Sequence, residues 1–248
     1  HHAAMRGYQL NEVFAACPPG LEQILLDELS SMDLPLGEPA KKVTGGVELR
    51  AEDREGWMRL MAECNLRLRS ATRVLARLAR FPVHHLAQLD KRAHRVDWSE
   101  LLPRNSKVHV DASCRRSRIY HSDAAAQRVF KAVADATQAH PAKDKDEESL
   151  RVFARIERDL CTISLDASGV PLYRRGAKTE SAKAPLRENL AAGFLMLAAW
   201  NPEAGEALYD PMCGSGSFLL EGASLALHQA PGLLRDFALE RFRLHDPE

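Results

Sequence analysis

The chain has 248 residues, 45% hydrophobic and 27% charged, with no low-complexity tract, which suits two or three globular domains rather than one. Its five cysteines (17, 64, 114, 161 and 213) are far apart and include no Cys-x-x-Cys pair. This argues against a disulfide framework and a structural zinc site, so no metal is expected. The longest apolar run, residues 190–200, falls well short of the roughly 20 residues a membrane helix needs, and no secretory signal is read, so the cytoplasm is expected and no membrane partner.

The net charge of zero conceals an uneven distribution. Residues 1–65 carry 6 Lys/Arg against 11 Asp/Glu, residues 66–131 carry 15 against 5, and residues 132–248 carry 13 against 18. A basic middle between acidic ends is the footprint of a nucleic-acid binder with one dedicated face. The alternative is a set of solvated helix faces, since Arg is a good helix former.

The first five residues, His-His-Ala-Ala-Met, read as a tag remnant and are set aside. Residues 12–16 form an apolar strand, Cys17-Pro-Pro-Gly20 a turn, and Leu21, Ile24, Leu25, Glu28 and Leu29 lie at helical spacing. Pro35, Gly37 and Pro39 mark a loop, Gly45-Gly46 precedes a strand over 47–50, and residues 54–65 form an amphipathic helix. Residues 70–81 alternate small or apolar residues with Arg, as a strand with one basic side does. A second unit then starts near Pro82. It has a helix over 84–93, a loop at Pro103 and a strand over 107–112, followed by the polar run Ser113 to Arg118. Ser122 is placed to cap a helix whose apolar stripe is Ala126, Val129, Phe130, Val133 and Ala134. Residues 144–149 are an acidic loop. Residues 150–156 and 159–166 form a hairpin that turns near Glu157-Arg158. In the third unit, Pro185 starts an apolar helix over 186–200, Asn201 to Gly205 breaks it, residues 207–209 form a short strand, and a helix runs from Ser217 to about Gln229. No internal repeat is evident.

The sharpest chemical signal is Asp210-Pro-Met-Cys-Gly-Ser-Gly216, between the last strand and the last helix. Glycines there let the backbone approach a ligand closely, and the amides opening the helix favour an anionic group such as a methionyl carboxylate. An ordinary glycine turn is the structural alternative. Asp-Pro-x-Cys-Gly-Ser-Gly resembles the first cofactor motif of Rossmann-like methyltransferases that modify exocyclic amino groups. Upstream, Leu172-Tyr-Arg-Arg-Gly176 and Ala184-Pro-Leu-Arg-Glu-Asn-Leu-Ala-Ala192 resemble the segment before that motif in bacterial large-subunit ribosomal RNA guanine-N2 methyltransferases. Asp111-Ala-Ser-Cys-Arg-Arg-Ser-Arg-Ile-Tyr-His-Ser122 resembles the loop-and-helix signature of a THUMP domain. Residues 13–21 and Gly45-Gly46-Val47 resemble the small ferredoxin-like domain that precedes THUMP in such enzymes.

The resemblance implies an α+β fold: a ferredoxin-like unit (6–68), a THUMP RNA-binding domain (69–168) and the truncated start of a Rossmann-like methyltransferase domain (169–248). It implies S-adenosylmethionine as cofactor, lined by Asp210, Pro211, Cys213, Gly214, Ser215 and Gly216, with Glu188 and Asn189 in support and Ser217 keeping a hydroxyl for capping. For the intact parent it implies methyl transfer to guanosine N2 of 23S rRNA, or of tRNA, and rRNA is the favoured partner. Arg115, Arg116 and Arg118 beside the helix start make a phosphate seat that Arg104 and Lys107 could extend. Tyr120 and His121 either stack on a base or staple the helix entry. The catalytic string of these enzymes, Asn or Asp followed by Pro-Pro and an aromatic, does not occur here. No catalytic residue is therefore assigned, and the chain is expected to be an inactive fragment that could self-associate through the apolar helices at 186–200 and 218–227. A non-catalytic RNA-binding adaptor is the alternative from another class. A nicotinamide oxidoreductase is disfavoured because the loop lacks the third glycine of the dinucleotide fingerprint.

Overall fold

A computed structural model describes residues 10–144, 146–176 and 186–244, and the chain divides into two bodies. The first body holds Val13–Val74 and Val170–Phe237. It opens with β1 (Glu12–Ala16), α1 (Glu22–Ser30), β2 (Lys41–Val43), β3 (Gly46–Arg50), α2 (Arg54–Arg67) and the start of β4 (Arg73–Pro82). The strand order β2-β3-β1-β4 makes a βαββαβ ferredoxin-like unit. Helix α1 buries Leu25 and Leu29, one turn apart, and α2 buries Trp57, Leu60, Met61 and Cys64. Asp53 caps α2 by accepting from the Gly56 amide at 2.7 Å. Strand β2 has no counterpart in the sequence reading, because its two lysines are exposed and give no apolar alternation. It is an edge strand, paired antiparallel with β3 from Lys41–Glu48 to Val43–Gly46. Gly46 is required there, since a Cβ would lie 2.1 Å from the Ala15 carbonyl oxygen.

The second body holds Leu75–Gly169 and residues 238–244. Its elements are the rest of β4, α3 (Leu86–Ala93), α4 (Trp98–Leu101), β5 (Lys107–Arg115), α5 (Ser122–Thr137), β6 (His140–Pro141), β7 (Leu150–Glu157) and β8 (Leu160–Asp166), with strand order β4-β8-β7-β5-β6. β7 and β8 form the expected hairpin, turned by Arg158 and Asp159, both at positive φ, while β5 runs parallel to β7. Four details depart from the sequence reading. The polar run does not begin at Ser113, because Ser113, Cys114 and Arg115 continue β5 opposite Arg155, Ile156 and Glu157. Ser122 is the first helical residue of α5, His121 holds the cap position, and no side chain caps the helix. The buried stripe of α5 is Ala125, Val129, Ala132, Val133 and Thr137, so Ala126, Phe130 and Ala134 only flank it. A one-turn helix, α4, buries Trp98 where only a lead-in to a loop was expected. After Phe237 the chain adds a 3-10 turn (Ala238–Arg241), whose Leu239 amide bonds the Ala167 carbonyl at 3.0 Å.

His94 ties α3 to α5. Its Nδ1 meets the Asp90 carbonyl at 2.8 Å and its Nε2 meets Asp135 Oδ2 at 2.9 Å, so both nitrogens face acceptors and the protonated ring is favoured. The hydrogen bond to Asp135, then that to Asp90, raises its pKa above the ordinary value. A raised folded-state value stabilises below about pH 6.5 and is lost as pH rises through the folded pKa. A His94→Gln variant should therefore lose stability relative to wild type in melts at pH 5.5, with the gap closing by pH 8.5. The pair is partly solvated, so the gap is small. A gap independent of pH contradicts this.

The first body is completed by α6 (Glu188–Leu197) and α7 (Ser217–Ala226). Both are shorter than their apolar runs suggested, and the Ala184-Pro185 start of the expected helix lies outside the described residues. Residues 207–209 form no strand. No neighbouring strand pairs with them among the described residues, and a strand exists only by pairing. None of the described helices is long and apolar enough to cross a membrane.

Candidate functional site

The loop Asp210 to Gly216 is held by two local bonds. The Met212 amide donates to Asp210 Oδ1 at 3.0 Å, and the Gly216 amide donates to the Cys213 carbonyl at 2.7 Å. Gly214 and Gly216 have φ of +52° and +78°, values that glycine adopts without strain. A Cβ at either would meet nothing within 4 Å, so the backbone borders open space. Gly216 occupies the cap position of α7 with no side-chain cap, and Ser217 does not cap as expected: its hydroxyl donates to the Leu186 carbonyl at 2.9 Å. First-turn amides without a side-chain acceptor, beside two unobstructed glycines, fit a carboxylate such as that of a methionyl group. Tyr209, Met212 and Cys213 are exposed.

Glu188 and Asn189, expected to support this loop, open α6. Burial pushes the Glu188 carboxyl up, Arg175 opposes that shift and Glu221 adds to it. Asn189 is fully buried, and its Nδ2 donates to Thr72 Oγ1 at 3.1 Å. Sequence reasoning missed the charged cluster behind the loop. Arg175 forks onto Glu221, Nε to Oε1 at 3.0 Å and Nη2 to Oε2 at 3.2 Å, and Arg69 Nη1 lies 3.6 Å from Glu221 Oε2. Arg69 also donates to Ser224 Oγ at 3.0 Å and to the Ser224 carbonyl at 3.1 Å. Arg175 lies inside the string Leu172 to Gly176. Gly176 in that string has φ of +88°, and a Cβ there would sit 2.0 Å from the Leu234 carbonyl oxygen.

In the second body, Arg115, Arg116 and Arg118 are exposed between β5 and α5. The hairpin turn of β7–β8 packs against them: the Arg158 amide donates to the Arg115 carbonyl at 3.2 Å, and the Arg118 amide donates to Asp159 Oδ1 at 2.8 Å. This adds exposed Arg158 to the cationic end. The sequence located the turn but not its neighbour. The Arg118 amide is the main cause of the lowered Asp159 pKa. Arg116 and Arg158 have φ of +46° and +50°, an uncommon conformation for non-glycine residues that collects at functional sites. Tyr120 is 73% exposed and leans on the His121 ring at 4.1 Å, so it does not staple the helix entry. Arg104 and Lys107 belong to the opposite end. Eight residues of β5 separate Lys107 from Arg115, about 26 Å at strand rise. Lys107 is also paired with Asp146 at 3.5 Å. His109, Asp111 and Asp144 cluster in the same body with metal-ligand spacing, but Arg151 bonds both carboxylates, at 2.6 and 2.8 Å.

Family models match three consecutive segments: the RlmL ferredoxin-like domain over residues 12–75, the THUMP domain over 83–166, and an RMKL-like methyltransferase domain over 175–246. The chain holds these three domains one after another. Among curated relatives it is 37% identical over 244 residues to the "Ribosomal RNA large subunit methyltransferase K/L" of Methylococcus capsulatus, which covers 96% of this chain and 32% of that protein. It is 39% identical over 231 residues to the protein of that name from Syntrophotalea carbinolica, covering 90% and 31%. The chain thus spans about a third of the length of these relatives. Among solved structures, a "possible methylase" from Clostridium difficile 630 superposes with TM-score 0.79 at 31% identity, over 95% of this chain and 61% of that one.

Proposed function

We propose that this chain is the RNA-holding portion, with the opening of the cofactor site, of an S-adenosylmethionine-dependent methyltransferase acting on guanosine N2 of 23S rRNA in the cytoplasm. The observation that carries the reading is one chain with two chemically distinct surfaces. One is a glycine loop with unobstructed amides at a helix start, and the other an exposed arginine cluster on a THUMP domain. Asp210, Pro211, Cys213, Gly214, Ser215 and Gly216 would hold the cofactor, with Glu188 and Asn189 behind them. When bound, S-adenosylmethionine supplies an electrophilic methyl group on a sulfonium. Arg115, Arg116, Arg118 and Arg158 would grip phosphates, and Tyr120 and His121 offer ring faces to a base. The domain limits 6–68, 69–168 and 169–248 go with this reading.

Filter binding of protein-free 23S rRNA and of bulk tRNA to this chain should show tighter, strongly salt-dependent binding to the rRNA. Preference for tRNA would favour a tRNA methyltransferase. Without an Asn/Asp-Pro-Pro-aromatic string, the chain by itself should methylate neither. Phe194, Leu197, Leu219, Leu220 and Leu227 are exposed on α6 and on and just past α7, and this apolar face should drive self-association. Light scattering after size exclusion should show mass rising with concentration, and a strictly monomeric peak contradicts that.

A further inference from the structure

Helix α7 turns its polar side inward. Ser217, Glu221 and Ser224 are spaced by four and three residues, which aligns them on one face. Each is bonded from the body: Ser217 to Leu186, Glu221 to Arg175 and Arg69, and Ser224 to Arg69. Leu219 and Leu220 point outward, and only Glu221 and Gly222 of the helix are buried. Charge-assisted bonds therefore fix this helix more than apolar burial does. The arginines are themselves fixed. Arg175 donates to the Leu172 and Arg69 carbonyls, both at 2.9 Å, and Arg69 donates to the Gln229 carbonyl. Glu221 lies five residues after Gly216, about 7.5 Å along the axis, so its clamp acts just over one turn beyond the end of the loop.

Resting on the cofactor reading of that loop, we infer that Arg69 and Arg175 are positioning residues for it. Acting through Glu221, they set the place and direction of the first turn of α7, and so of the amides at Gly214 to Ser217. Arg69 comes from the ferredoxin-like segment, so that domain contributes to the cofactor seat.

Native-state hydrogen exchange on the whole chain, read by peptide mass, separates positioning from general stability. In Glu221→Gln and in Arg175→Met, exchange of the hydrogen-bonded amides from Leu220 to Leu227 should speed up at least about ten-fold more than that of β1, β3 and α2 in the same variant. Arg175→Lys, which keeps the charge but not the fork, should fall between. Saturating S-adenosylhomocysteine should slow exchange of 214–217 in wild type. Unchanged exchange, or a rise shared equally by β1, β3 and α2, overturns the positioning role. If the local change appears but S-adenosylhomocysteine gives the wild type no protection, the cofactor reading falls and takes the inferred seat with it.

Discussion

Replacing Glu221 with alanine should destabilise the first body by about 3–5 kcal/mol, the cost of leaving buried charge without its partner. Arg69 is 7% exposed and Glu221 4%, so water cannot replace the carboxylate. Domains are stable by only about 5–15 kcal/mol, so the loss should be plain as a fall in the urea midpoint. Removing Arg175 as well should cost far less than the sum of the two single changes, because the orphaned guanidinium leaves with its partner. A Glu221→Ala loss below about 1 kcal/mol would mean that the cluster is solvated and not a clamp.

The second large effect concerns RNA. Changing Arg115, Arg116 and Arg118 together to alanine should weaken RNA binding for all sequences alike and reduce the slope of log affinity against log salt by about three, roughly one for each phosphate contact. Arg158→Ala, at a residue hidden from sequence reasoning by distance along the chain, should remove about one more. Because these side chains are exposed, stability should stay within about 0.5 kcal/mol of wild type. The fold of the turn should persist as well, since Arg118 holds Asp159 through its backbone amide. Arg104→Ala and Lys107→Ala are the controls, lying at the far end of β5. An equal loss from those two would show that phosphate is gripped elsewhere.

Local pattern and local packing agree over most of the two bodies, which is why the first unit without its edge strand β2, and the β7–β8 hairpin, could be read from periodicity and turn residues. The misreadings have physical causes. Residues 207–209 form a short apolar run like a strand, yet pairing, not composition, makes a strand. Ser113 to Arg115 look like a polar loop because their side chains are polar, but β7 supplies the hydrogen bonds that extend β5 through them. Helix α7 was read as an apolar helix, while the side bonded to the body is Ser217, Glu221 and Ser224. Arg69, the partner of Glu221 and Ser224, is some 150 residues away in sequence, and no spacing rule reaches that far. The glycine loop was legible because its requirement is local: positive φ at two positions. Grouping Lys107 with Arg115 failed for the opposite reason, since eight residues are close in sequence but span a whole strand.

Amide chemical shifts of one isotope-labelled sample, titrated separately with S-adenosylhomocysteine and with a short guanosine-containing RNA, test the two-surface account most directly. The nucleoside should move Gly214, Ser215, Gly216 and Ser217, and the RNA should move Arg115, Arg116, Arg118 and Arg158, with the two sets distinct. Shifts from either ligand that fall outside its own set, or no shifts at all, would contradict the account.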